Sequence, residues 1–273
     1  MTSGPHKSEQ EIEQQGTSMI IGWNNDTSGL GQNVIDYLID KFQGSSYSEI
    51  VPTDFFSMGG ISIYNDLVQF PECTFYSFPE KELVVVKSDP PQQEWYGFLN
   101  SILDTSQQHF HVKEIYTLGG MVSLSAHTTP RQLLAIHNST DIKEKLKHYN
   151  LSGEINYETP SGHRPTINAF LLWAARKRNI PAVSLWVPIP FYMVNTTDAK
   201  AKKKVLDFMN QRFCLGIDST DIDEEIRQQN QMIADVQNSI PDVDESVKRL
   251  ECNLQLSEER SQRLIQAIDN III

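Results

Sequence analysis

Residues 18–42, SMIIGWNNDTSGLGQNVIDYLIDKF, decide how the chain is to be read. Ser18 to Trp23 is a short apolar run of the kind that forms a strand. Leu30, Val34, Leu38 and Phe42 then recur every four residues, which predicts a helix over Ser28 to Phe42 with Thr27 or Ser28 as its cap. A strand passing through a tight turn into a helix is the repeating unit of a layered α/β protein. The turn, from Gly22 to Gly31, is where such a sheet usually offers a helix N-terminus to an anion. Here it matches neither G-x-x-x-x-G-K-[ST] nor G-x-G-x-x-G, and Asp26 would oppose a phosphate. Gly29 and Gly31 read instead as residues that let the helix lie close to the sheet.

Working outward, strands are expected at Thr74 to Phe78, Leu83 to Lys87, Glu114 to Leu118, Gln132 to His137 and Ala182 to Val187, and helices at 92–109, 140–148, 163–178 and 198–213. Leu83-Val84-Val85-Val86 is continuous rather than alternating, as in a strand covered on both faces. Asn179 to Thr197 carries no charge, but Pro181, Pro188 and Pro190 interrupt it, so it reads as a buried strand with its exit loop and not as a membrane span.

The 273 residues carry 23 Lys and Arg against 35 Asp and Glu, a net charge of -12 that repels phosphate backbones and anionic membranes. Neither nucleic acid nor a membrane is an expected partner. Cys73, Cys214 and Cys252 form no C-x-x-C pair, so a reducing, cytoplasmic setting is expected, with no disulfide framework. Residues 1–17 read as a disordered tail and 18–218 as the α/β domain. In residues 219–273 the texture changes: from 221 onward there are 12 acids, 5 bases and no Gly, Phe, Trp or Tyr. Heptad-like seams there hold Ile222, Ile226, Gln229, Ile233, Val236 and Ile240, then Val243, Val247, Leu250, Leu254, Ser257, Ser261, Leu264, Ile268 and Ile271. Pro241 separates the two seams, and Asp242 with Glu245 resembles a capping box, which predicts a C-terminal α-helical hairpin. Such a seam packs on its own domain or docks on a partner. In the second case Ile226, Ile233, Val247, Leu250, Leu254, Leu264 and Ile268 are the candidate interface. The polar seam residues would fix register.

The search for chemistry yields candidate pocket residues rather than a catalytic set. Gly22, Trp23 and Asn24 end the first strand, and Leu118-Gly119-Gly120-Met121 closes another with a glycine pair that permits a turn or a close approach. His163 and Arg164, at the predicted start of an apolar helix, could address an anion in the same cleft. No G-x-S-x-G supplies a nucleophile, and His109-Phe110-His111 lacks an accompanying carboxylate cluster. No catalytic residue, metal or cofactor is expected. Lys200, Lys202, Lys203 and Lys204 form the one basic cluster and read as a solvated face.

The order of these segments resembles the proteasome assembly chaperone family: Gly22 to Leu38, the Glu82 to Phe98 strand and helix, Leu118-Gly119-Gly120, Ser161-Gly162, and the Ile180 to Tyr192 strand with its exit loop. The match spans roughly Met19 to Ile226. Asp89-Pro90-Pro91-Gln92-Gln93-Glu94-Trp95-Tyr96 is similar to the family's polar loop leading into a helix. The resemblance implies a purine-nucleoside-phosphorylase-like three-layer α/β domain. It also implies an ATP-independent assembly chaperone or scaffold, acting as a homo-oligomer on proteasome subunits or another protein client. Proteasome-binding members often end in hydrophobic-Tyr-any, and Ile271, Ile272 and Ile273 keep the hydrophobic residue without the tyrosine. The alternative is an enzyme on the same scaffold, or an ATP-dependent carboligase, acting on a small anionic or nucleoside-like ligand in the cleft.

Overall fold

The apolar runs form a seven-stranded sheet, in a computed structural model that describes residues 16–50, 55–56, 61–153 and 155–270. Its strands are β1 (Ser18–Trp23), β2 (Ser45–Glu49), β5 (Cys73–Phe78), β6 (Leu83–Ser88), β7 (Glu114–Ser123), β8 (Leu134–His137) and β9 (Ala182–Pro190), in the spatial order β2-β5-β6-β1-β7-β9-β8. The four central strands β6, β1, β7 and β9 are parallel, and antiparallel strands complete both edges. Two further strands, β3 (Ser62–Tyr64) and β4 (Leu67–Gln69), make a separate hairpin that the sequence pattern does not signal. The expected tail up to residue 15 and Ile271 to Ile273 lie outside the described residues.

Successive side chains of a strand point to opposite faces, so each central strand feeds two cores. Ile20, Val85, Tyr116 and Leu185 meet α1 (Leu30–Phe42) and α5 (Ala199–Phe213) on one face. Met19, Ile21, Val84 and Val86 meet α2 (Trp95–Phe110) and α4 (Ile167–Lys177) on the other. This is the three-layer α/β arrangement, and the Leu83 to Val86 run is indeed covered on both sides. A short α3 (Thr140–Leu146) follows β8. Helix α4 begins at Ile167 rather than 163, because Pro165 biases Arg164 away from helical geometry and Thr166 caps instead, accepting the Ala169 N–H at 3.2 Å.

The C-terminal seams fold as α6 (Thr220–Ser239), α7 (Pro241–Glu251) and α8 (Glu258–Asp269). The chain doubles back at Pro241 as expected, but the second arm of the hairpin is two helices, broken at residues 252–257. Asn253 there takes a positive φ, and Ser257 caps α8 by accepting the Arg260 N–H instead of sitting in a seam. Glu245 closes no capping box with Asp242, since it pairs with Arg260 at 2.8 Å.

All three helices lie on the α1/α5 face and join its core. Ile233, Val247, Leu250, Leu264 and Ile268 are buried in this chain, and Ile226 packs against them half-buried, so the candidate interface is occupied from within except at Leu254, which is 50% exposed. The lysine cluster is not a simple solvated face either. Lys202 is buried against Glu225, Lys203 lies 3.5 Å from Asp223, and Lys200 donates to the His127 carbonyl, so these cations tie α5 to the acidic α6 and to the loop before β8. Gln229 sets the register, accepting the Ala199 N–H and donating to the Thr197 carbonyl at the start of α5.

The same corner holds the most deeply buried ion pair among the described residues. Asp198 caps α5 by accepting the Ala201 N–H at 3.0 Å and takes the Arg131 guanidinium at 2.8 Å, with side chains 0% and 3% exposed. Ser28 accepts the Asp198 N–H at 2.9 Å and donates to the Thr196 carbonyl. One cluster thereby joins the turn before α1, the loop before β8 and the start of α5.

Leu250 and Leu254 separate core from surface in the C-terminal helices. Leu250→Asp places an unpaired charge in the core and is expected to cost at least the 2–5 kcal/mol typical of truncating a buried leucine, roughly 4–20 °C in Tm. Leu254→Asp is expected to stay within about 0.5 kcal/mol of wild type. Thermal melts of the two variants check this.

Candidate functional site

Four of the pocket residues expected from the sequence meet at the C-terminal side of β1, β7 and β9, where open parallel sheets bind ligands. The cleft they line has a volume of about 310 Å³ and includes Trp23, Asn24, Asp26, Gly119, Asn168 and Trp186. Its shape depends on two close approaches. A Cβ on Gly22 would stand 2.5 Å from the Gly31 carbonyl oxygen, so the start of α1 touches the β1 backbone. A Cβ on Gly120 would stand 2.5 Å from the Thr27 carbonyl oxygen, which brings the first loop down on β7. Of the two readings of the glycine pair, close approach is the one realised. The strand does not turn at Gly119 but continues to Ser123.

Asp26 sits where the turn would hold an anion. Its carboxylate accepts the Gly31 N–H at 3.1 Å and the Gly120 N–H at 3.2 Å. These are donors that a phosphate would otherwise use. Burial outweighs the two amides and pushes the carboxyl up from 3.8 to about 7. Several other polar groups of the cleft bond to one another and to nearby backbone, but Asn24 Oδ1 and Trp186 Nε1 are buried there with no hydrogen-bond partner among the described residues. Trp23 Nε1 donates to Asn168 Oδ1 at 2.5 Å, Asn168 Nδ2 donates to the Leu118 carbonyl, and Asn24 Nδ2 donates to Asp89 at 3.2 Å.

The structure thus unites Trp23, Asn24, Gly119 and Gly120 as expected, while Gly22 is buried against Gly31 and Ile35 and does not line the cleft. It leaves His163 and Arg164 out: both are exposed in the loop before α4 and line no part of the cleft, because the helix they were expected to begin starts at Ile167. Asn168 takes their place. The signal for it was a lone asparagine on the buried face of an apolar helical run, Ile167 to Ala175. Trp186 lies in β9, and its ring lies against Gly119. Among the described residues no group of three or more His, Cys, Asp or Glu is arranged to hold a metal ion, and no helix is long and apolar enough to cross a membrane.

A second concavity, about 560 Å³, runs between the end of β7 and the break in the C-terminal helices, lined by Leu124, Phe191, Leu250, Leu254 and Leu256 among others. It carries the exposed Leu254 and continues the apolar surface of Val122 and Leu124, which are 59% and 65% exposed.

Comparison with known proteins agrees with this architecture. No curated protein matches the sequence. Among solved structures, a PAC2 family protein from Streptomyces avermitilis is similar with a TM-score of 0.66 and 21% identity, over 78% of this chain and 92% of that one. A proteasome-assembly chaperone homologue from Mycobacterium tuberculosis gives 0.67 and 18%, over 80% and 94%. Pyrococcus furiosus PbaB, an archaeal proteasome activator, gives 0.64 and 25%, over 81% and 93%. The family model for the PAC2 family matches residues 19–237, from the second residue of β1 to the last turn of α6, and the chain belongs to the PAC2 family.

Proposed function

We propose that the chain is a protein-binding assembly chaperone or scaffold, independent of ATP, that works as a homo-oligomer and takes proteasome subunits as its clients. The observation that carries this reading is the likeness to an archaeal proteasome activator, 25% identical over 81% of the chain. The proteasome-assembly chaperone homologue of similar fold adds to it. Independence of ATP is supported by Asp26, whose carboxylate takes up the amide donors at the first strand-to-helix turn. A nucleotide phosphate would have to displace it.

The test is binding of the purified chain to purified cognate proteasome core subunits, followed by native mass spectrometry. The expected result is a complex whose yield is the same with ATP, without nucleotide and with a chelator. ATP at about 1 mM should also leave Tm unmoved, because a ligand that binds only the native state raises stability by RT ln(1 + [L]/Kd). Complex formation that requires ATP, or a rise of several degrees, would overturn the reading.

Asp26 makes a further prediction for pH. Its carboxyl titrates near 3.8 when unfolded and at about 7 when folded, so between those values the native state binds the extra proton. Stability therefore falls as pH rises from about 4 to 7 and levels off above, by an amount on the order of a few kcal/mol. In Asp26→Asn that part of the slope should vanish. Urea unfolding of both proteins between about pH 4 and 8.5 measures it.

A further inference from the structure

The two buried polar atoms left without a partner in the cleft are of opposite kind: Asn24 Oδ1 accepts hydrogen bonds and Trp186 Nε1 donates them. Asn24 is 8% exposed, and its Nδ2 is already held by Asp89 at 3.2 Å. Exchanging the two ends of that amide would set its oxygen against a carboxylate, so the oxygen stays the bare end. The Trp186 ring is seated on Gly119, where an added Cβ would stand 2.9 Å from it. Buried polar groups are nearly always paired, and one left bare carries its full desolvation cost. A donor and an acceptor left bare around one cavity are complementary to a single group that has both.

The cleft also lies where the topology opens the sheet. After β1 the chain passes to α1 on one face, whereas it reaches β9 after β7 by way of α4 on the other face. The connections therefore part between β1 and β7, which are adjacent and parallel, and such a switch point is where open α/β sheets take small ligands. A volume of about 310 Å³ suits a small molecule, and Trp23, Ile167 and Trp186 give it apolar walls. Charge narrows the choice further. The Asp26 and Asp89 carboxylates oppose an anion, and Asp26 already occupies the Gly31 and Gly120 N–H groups. A cation would meet the carboxylates but would turn its own N–H toward that of Trp186.

We infer that the cleft binds a small uncharged carboxamide on a planar apolar body, its carbonyl accepting from Trp186 Nε1 and its N–H donating to Asn24 Oδ1. A carboxamide is the simplest neutral group that carries both functions side by side. This goes beyond the protein-client reading and stands or falls independently of it.

The experiment titrates the full chain with benzamide, benzoate and benzamidine, which share one shape and are neutral, anionic and cationic. It is run at about pH 8, above the Asp26 carboxyl at about 7, with the four tryptophan indole N–H signals followed by NMR. Benzamide should bind with a Kd of about 10 mM or tighter and move the Trp186 indole signal downfield. The two charged analogues should bind at least about tenfold more weakly, because each leaves one of the two atoms unmet. In Trp186→Phe the Trp186 signal disappears, which assigns it, and the preference for benzamide over benzamidine should collapse. A loss of packing alone would weaken both and keep the preference. If benzamide moves no signal up to about 20 mM, the two atoms are met by water and the inference falls. It falls equally if benzamide binds with the Trp186 signal unmoved, or if either charged analogue binds as tightly. Should Trp186→Phe not fold, the signal is assigned by triple-resonance spectra and the wild-type titrations decide.

Discussion

A carboxylate removed from water must be met by donors, and two such groups organise this molecule. Asp198, with its side chain 0% exposed, is held by the Arg131 guanidinium and an α5 amide, and its own backbone N–H is fixed by Ser28. Breaking a buried pair by removing one partner typically costs about 3–5 kcal/mol, because the other charge is left uncompensated. That constraint locks the turn before α1 to the start of α5. Asp26, on the other side of the same turn, ties α1 to β7. The cleft, the position of α6 against α5 and the helical layer above follow from where these two side chains find their donors.

At the opposite end of the sheet a third carboxylate is met differently. Glu114, at the start of β7, accepts from Arg212 at 2.6 Å, Lys145 at 2.7 Å and Ser18 at 3.0 Å. Burial alone would raise this carboxyl, but the two cations and the serine outweigh it and hold it below the usual range. The N-terminal ends of the parallel strands are therefore a pinned, charged rim. The C-terminal ends carry the close glycine contacts, the cleft and the apolar surface of Met121, Val122 and Leu124. The second end is the one where less charge would have to be stripped of water on any contact.

The sheet was legible in the sequence wherever a strand is buried on both faces. Ser18 to Trp23 was read to the residue, and the Leu83 and Ala182 strands to within one to three residues, because apolar runs bounded by polar turns have few other homes. On the α1/α5 face, α1 followed from its four-residue spacing and the C-terminal helices from their alternating seam of four and three. The β3–β4 hairpin was not legible: three-residue strands give almost no period, and apolar side chains open to solvent look the same in sequence as buried ones. In the cleft, Trp23, Asn24, Gly119 and Gly120 were visible because they stand at or beside glycines near strand ends, which have few uses. Asn168 was not, since it reaches Trp23 across 145 residues of chain. Pro165 was the clue that His163 and Arg164 precede the helix instead of opening it. The lysines near residue 202 read as solvated because the acids that cover them lie about twenty residues further on.

The sharing of one core between the sheet and the last three helices has a consequence for synthesis on the ribosome. Ile222, Ile233, Val243, Val247, Leu250 and Leu264 complete the same cluster as Leu30, Val34 and Leu206. Until residues 220–269 have left the exit tunnel, the outer side of α1 and α5 has no cover. At about 5–20 residues per second, those fifty residues take roughly 3–10 s to make. For that interval the nascent chain shows a broad apolar surface flanked by the lysines of α5, with the acidic helix that neutralises them still to come. The nascent chain thus passes through a stage with the kind of exposed apolar surface that general chaperones recognise.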